Sequence, residues 1–155
     1  MHLPERFARQ IAETETSLRS VSEDESDRTF HAGSWTRKQL LGHLIDSAAN
    51  NHNRFVRASL DNEYHGPGYD QEGWVRRHRY ESMQWSDIVD WWSTLNQMLV
   101  RVVREIPRDQ YAVPCFIDNK PMMSLEALME DYLLHMQHHV EQILHAATEA
   151  ASVSG

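Results

Sequence analysis

The sequence holds a single cysteine, Cys115, among 155 residues, so no internal disulfide can form and a reducing, cytoplasmic setting is expected. It also lacks an excess of positive charge: 15 Lys and Arg stand against 23 Asp and Glu, a formal net charge of −8. A nucleic-acid partner is therefore not expected, because phosphates call for a basic face. No apolar run approaches the ~18 residues of a membrane helix, and none near the start resembles a signal peptide. No segment keeps a period of two, which removes extended sheet from the expected architecture.

What the sequence does have is histidine, 10 of them, together with 5 tryptophans. At that density chance alone supplies about 0.6 histidine pairs spaced i, i+4, so one such pair decides nothing. The length suits one domain, taken as residues 1–150, with 151–155 as a frayed tail.

Four segments carry helical periodicity. The first runs from about Pro4 to Val21, with Phe7, Ile11, Thr14, Leu18 and Val21 on one face. An acidic linker, "SEDESDR", follows. In the second, Thr36 and Gln39 read as a capping box, and Leu40, Leu41, Leu44, Ala48, Asn51 and Phe55 form a stripe ending near Leu60. Gly66, Pro67 and Gly68 then mark a loop. The third puts Ile88, Trp92, Leu95, Leu99 and Val102 on one face and stops at Pro107. The fourth begins after Ser124, a suitable N-cap, and runs to about Ala150. Four such helices predict an all-α four-helix bundle. The link between the second and third, roughly 22 residues, is long enough to cross the bundle and leave those two helices parallel.

In the fourth helix, "DYLLHMQHHVEQI" sets His135 and His139 one turn apart, with Asp131 a turn earlier and Gln142 in the same stripe. The pair borders the apolar arc of Leu125, Tyr132, Met136 and Ile143, so it points partly inward. Two imidazoles so placed can share one metal ion; alternatively, they are half-buried residues bonded to neighbours. His138 is turned toward the polar side and reads as a rim residue, and His52 as solvated. His43 changes the balance. It sits inside "LLGHLIDSA", where an imidazole needs a partner, either a metal ion or a carboxylate. Three neutral imidazoles with an open position describe a catalytic metal site rather than a structural one.

"WTRKQLLGHLIDSA", followed far downstream by "DYLLHMQHHVEQI", resembles the DinB/YfiT-like superfamily of metal-dependent enzymes. "YDQEGWV" and "WSDIVDWWSTLNQML" resemble one of its branches, so the likeness covers about residues 30 to 145. The resemblance implies an up-down-down-up bundle, a three-histidine divalent-metal site at His43, His135 and His139, and a homodimer. Its members include thiol transferases and isomerases using bacillithiol or mycothiol, and presumed hydrolases. The expected ion is zinc or nickel, with iron, manganese or copper also suited to imidazole. Fold and metal site carry over residue by residue; the substrate does not.

The expected function is thus a metal-dependent hydrolase or low-molecular-weight thiol transferase acting on a small molecule. Asp46 and Asp131, each a turn from a candidate ligand, are candidates to handle protons or to orient the imidazoles, and Asp46 is also a candidate fourth ligand. Asp70, Gln71 and Trp74 are candidates to cover the mouth of the site; otherwise Asp70 caps a short helical turn and Trp74 pads the core edge. "RRHR" at 76–79 reads as a solvated face, the cluster Trp85, Trp91 and Trp92 as packing, and Cys115 as structural. The competing class is a non-enzymatic helical bundle, with or without metal, acting as a dimer through exposed apolar residues of the third helix.

Overall fold

Thr36 opens the central helix as its sequence requires. Its hydroxyl accepts from Gln39 N while the Gln39 side chain accepts from Thr36 N, a complete capping box. In the computed structural model, which describes residues 1–29, 31 and 33–154 and side chains as far as His145, this helix is one of four long ones. They are α1 (Leu3–Arg19), α3 (Arg37–Ser59), α5 (Trp85–Glu105) and α6 (Leu125–Ser154). Two short helices, α2 (Glu23–Ser26) and α4 (Gln71–His78), lie in the connections.

Named contacts fix the directions of the long helices. Lys38 Nζ lies 2.5 Å from Glu23 Oε1 while Trp85 N donates to Glu23 Oε2 at 2.6 Å, so α3 and α5 start together and run parallel. Arg6 pairs with Glu130, and Gln10 Nε2 donates to Leu133 O at 2.9 Å, so α1 and α6 are also parallel. Arg19 meets Asp90 at 2.7 Å, which sets α1 antiparallel to α5. Arg37 Nε donates to Ile143 O at 3.2 Å, which sets α3 antiparallel to α6. The result is the up-down-down-up bundle.

The connections do more than span. Arg79 adopts a left-handed backbone with φ of 54° at the end of α4, and this turn drives Tyr80 into the interior, where it is fully buried. The Tyr80 ring then occupies the space beside Gly42: a Cβ there would fall 2.0 Å from it. Covered in this way from outside as well as from the bundle, α3 is buried almost all round from Leu40 to Ala48. A small sheet closes the end where α3 stops and α6 begins. Its strands β1 (Tyr64–Gly66), β2 (Pro114–Ile117) and β3 (Met123–Ser124) lie in that order, β1 parallel and β3 antiparallel to β2. Two to four residues per strand are too few to leave an alternating pattern, which is why the sequence gives no sign of them.

The α5 stripe is rotated from the expected one. Asn96 takes the central buried place while Leu95 is half-buried, because the Asn96 amide oxygen accepts from Tyr132 OH at 2.5 Å across the core. At the far end, α6 runs to Ser154. The expected fraying of 151–155 falls on a stretch whose side chains, and Gly155 entirely, lie outside the described residues. No helix among the described residues is long and apolar enough to cross a membrane.

Candidate metal centre

The antiparallel packing of α3 on α6 brings three histidines to one point. One ring nitrogen from each of His43, His135 and His139 lies within 4.8 Å of the other two. His43 is 2% exposed, and His135 and His139 are half-buried. The Nε2 atoms of His43 and His135 face each other at 3.2 Å. Two imidazoles on one tetrahedral ion with bonds of about 2.05 Å would stand roughly 3.3 Å apart, so the spacing fits a shared ion.

The surroundings leave these rings in a form that could ligate a metal ion. His139 Nδ1 lies 2.8 Å from the Gln142 amide oxygen. That acceptor fixes the proton on Nδ1 and leaves Nε2 with a free lone pair. Burial, reinforced by the two neighbouring histidines, holds His43 down to about 3. Burial and His139 hold His135 down to about 4, against an upward pull from Asp131. His139 is lowered too, again mainly by burial. All three are neutral near pH 7, the form that binds a metal. His43 Nδ1 is buried without a partner, as is Asp46 Oδ2, one helical turn away.

Asp46 is not bonded to any of the three rings. Its Oδ1 accepts from Tyr80 OH at 2.6 Å and lies 3.3 Å from His78 Nδ1, on the crossover. Burial raises its carboxyl above the usual range, opposed by the Tyr80 hydrogen bond. Asp131 is exposed and lines a cleft of about 150 Å³ that reaches His135. Ser47, Asn51, Arg54, Tyr69 and Gln71 form much of the opposite wall. Of the three crossover candidates, Gln71 therefore flanks this cleft. Asp70 caps α4 by accepting from Gly73 N at 3.0 Å, and Trp74 packs its ring on Tyr69 and His78.

The other candidates separate from the centre. His138 is exposed, and His52 is half-buried rather than solvated. Arg76, Arg77 and Arg79 line an open groove of about 720 Å³ beside α4, which includes none of the three clustered histidines. Cys115 is fully buried on β2, its thiol pushed up by burial, the surroundings of a structural cysteine. Trp85 and Trp92 are buried, while Trp91 is 40% exposed. Sequence reasoning missed Tyr80 as the partner of Asp46. The glycine inside "LLGHLID" was the available signal, since a glycine in a buried helical stripe marks a close neighbour.

The sequence model of the DinB superfamily matches residues 6–143. The chain belongs to the DinB superfamily. YfiT of Bacillus subtilis is 22% identical to this DinB-superfamily chain over 133 residues, which are 85% of the chain and 75% of YfiT. The solved structure of YfiT, described as a probable metal-dependent hydrolase with an unusual four-helix bundle topology, matches with a TM-score of 0.84 at 20% identity. It covers 96% of this chain and 87% of YfiT. OB0413 of Oceanobacillus iheyensis, which carries the same kind of metal-dependent hydrolase designation, is 34% identical over 71 residues, 46% of this chain. That match spans 39% of OB0413, well under half its length. A mycothiol-dependent maleylpyruvate isomerase shares the fold at a TM-score of 0.75 and 14% identity, covering 92% of this chain and 61% of the isomerase.

Proposed function

We propose that this chain is a divalent-metal-dependent enzyme acting on a small molecule, with His43, His135 and His139 as the metal ligands. The observation that carries this reading is the meeting of three neutral imidazoles in one cluster, of which His135 reaches a cleft, with no carboxylate or thiolate joining the cluster among the described residues. A divalent ion bound there supplies Lewis acidity toward water or a thiol. The chain's own residues do the rest. Gln142 orients His139, the walls of α3 and α6 exclude bulk water from His43, and Asp131 at the cleft stands a turn from His135 as an acceptor for a proton released there.

Two reactions suit such a centre: hydrolysis, supported by the designations of YfiT and OB0413, and thiol transfer, supported by the mycothiol dependence of the structurally similar isomerase. Zinc or nickel is the proposed ion, the cytoplasm the proposed location and a homodimer the proposed assembly, joined through the exposed Trp91 and Met98 of α5. Metal-loaded protein is assayed with p-nitrophenyl esters, and separately with a chromogenic electrophile in the presence and absence of a small thiol. Turnover in either assay that His43→Ala abolishes supports the reading and names the reaction. Equal rates in wild type and variant overturn it.

A further inference from the structure

The cleft that reaches His135 has a direction. It follows α3 from Ser47 to Arg54 and α6 from His135 back to Leu128, a rise of about 10 Å on each. Asp131 stands one turn from His135, midway along the α6 wall; Arg54 stands at the far end of the α3 wall, and Lys120 lines the cleft near enough for its charge to act on His135. In a chain of net charge −8, both cations lack a carboxylate partner among the ion pairs of the described residues. Arg54 is held in place, while the Lys120 side chain is exposed. Arg54 Nη2 donates to Pro67 O at 3.2 Å, and its guanidinium lies 5.9 Å from the Tyr69 ring centroid, which holds it against the cleft wall. Lys120 sits on the turn after β2, closed by its own N donating to Ile117 O at 3.1 Å, with Asp118 left-handed at φ of 54°. Two cations on the wall of one cleft, with no carboxylate paired to them, give it a positive potential that draws an anion.

We infer that the substrate of this site is a small molecule with a terminal carboxylate or similar anion, bound by Arg54 and Lys120, its reactive end lying at the three histidines. The inference rests on the metal-centre reading above and adds the ligand's charge and its length. The anion stands toward the Arg54 end of the cleft rather than beside the reacting atom, because Asp131, one turn from His135, would repel it there. Guanidinium and ammonium together favour an oxyanion over a neutral amide of the same shape.

Cobalt-loaded protein titrated with ω-mercaptocarboxylates, from 3-mercaptopropionate to 8-mercaptooctanoate, and with the matching primary amides tests this through the sulfur-to-cobalt absorption band. The expected result is tighter binding of the acids by 10-fold or more at an intermediate chain length. The double variant Arg54→Met, Lys120→Met should reduce that preference below 2-fold while cobalt content and amide binding stay unchanged. Equal binding of acid and amide by cobalt-loaded wild type overturns the inference and leaves the metal centre standing. A preference that survives in the double variant overturns the assignment to Arg54 and Lys120. Failure of the wild type to take up cobalt overturns both readings together.

Discussion

His43 and His135 meet through their Nε2 atoms at 3.2 Å, one ring delivered by α3 and the other by the antiparallel α6, 92 positions later in the chain. Neither ring can carry a proton without burying charge beside two other imidazoles. That constraint sets both the chemistry of the site and the response of the protein to acid.

The metal-free protein should therefore lose stability as it is acidified. Burial lowers the folded-state value of His43 from 6.5 to about 3 and that of His135 to about 4. With folded values below unfolded ones, the unfolded chain binds more protons, so this contribution is complete above 6.5 and is lost as pH falls toward 4 and then 3. Urea unfolding of the metal-free protein at pH 7, 6 and 5 should show the decline, by up to about 1.4 kcal/mol per pH unit for each histidine. His43→Leu should flatten it. An unchanged slope in that variant contradicts the burial argument.

Gly42→Ala tests the covering of α3 by the crossover. In an open helix the change should stabilise by about 0.8–1.0 kcal/mol. Here the new Cβ would meet Tyr80, fully buried and bonded to Asp46. Thermal unfolding should show a net loss of about 1–3 kcal/mol, the cost of overpacking. A rise in Tm would show that Tyr80 does not hold its place.

The four long helices were legible because apolar residues recur along each at a spacing of three and four, and because Thr36, Gln39 and Ser124 mark the starts of two of them. The histidine positions were legible for the same reason: one turn separates His135 from His139, and His43 sits in an apolar stripe. What escaped were contacts made between distant segments. Asp46 lies on the same side of α3 as His43, so periodicity alone pointed it at the imidazoles; Tyr80, brought in by the left-handed turn at Arg79, takes it instead. The sheet escaped because β1 and β2 pair across 51 positions, Tyr64 with Cys115, in strands too short to show alternation.

Tyr132→Phe tests the polar bond inside the core. The Tyr132 hydroxyl is the partner of the buried Asn96 amide oxygen at 2.5 Å. Its loss should cost about 1–3 kcal/mol in urea unfolding, the penalty of an unsatisfied buried acceptor. Replacing both, Tyr132→Phe with Asn96→Leu, should cost less than the sum of the two single changes. Additive losses contradict the pairing.

The central claim is that His43, His135 and His139 hold one divalent ion, and elemental analysis tests it most directly. Untagged protein is compared with His43→Ala, His135→Ala and His139→Ala after dialysis against zinc and nickel. The account predicts close to one ion per wild-type chain and near-total loss in each of the three variants. Wild type that retains no ion, or variants that retain it fully, would contradict the account.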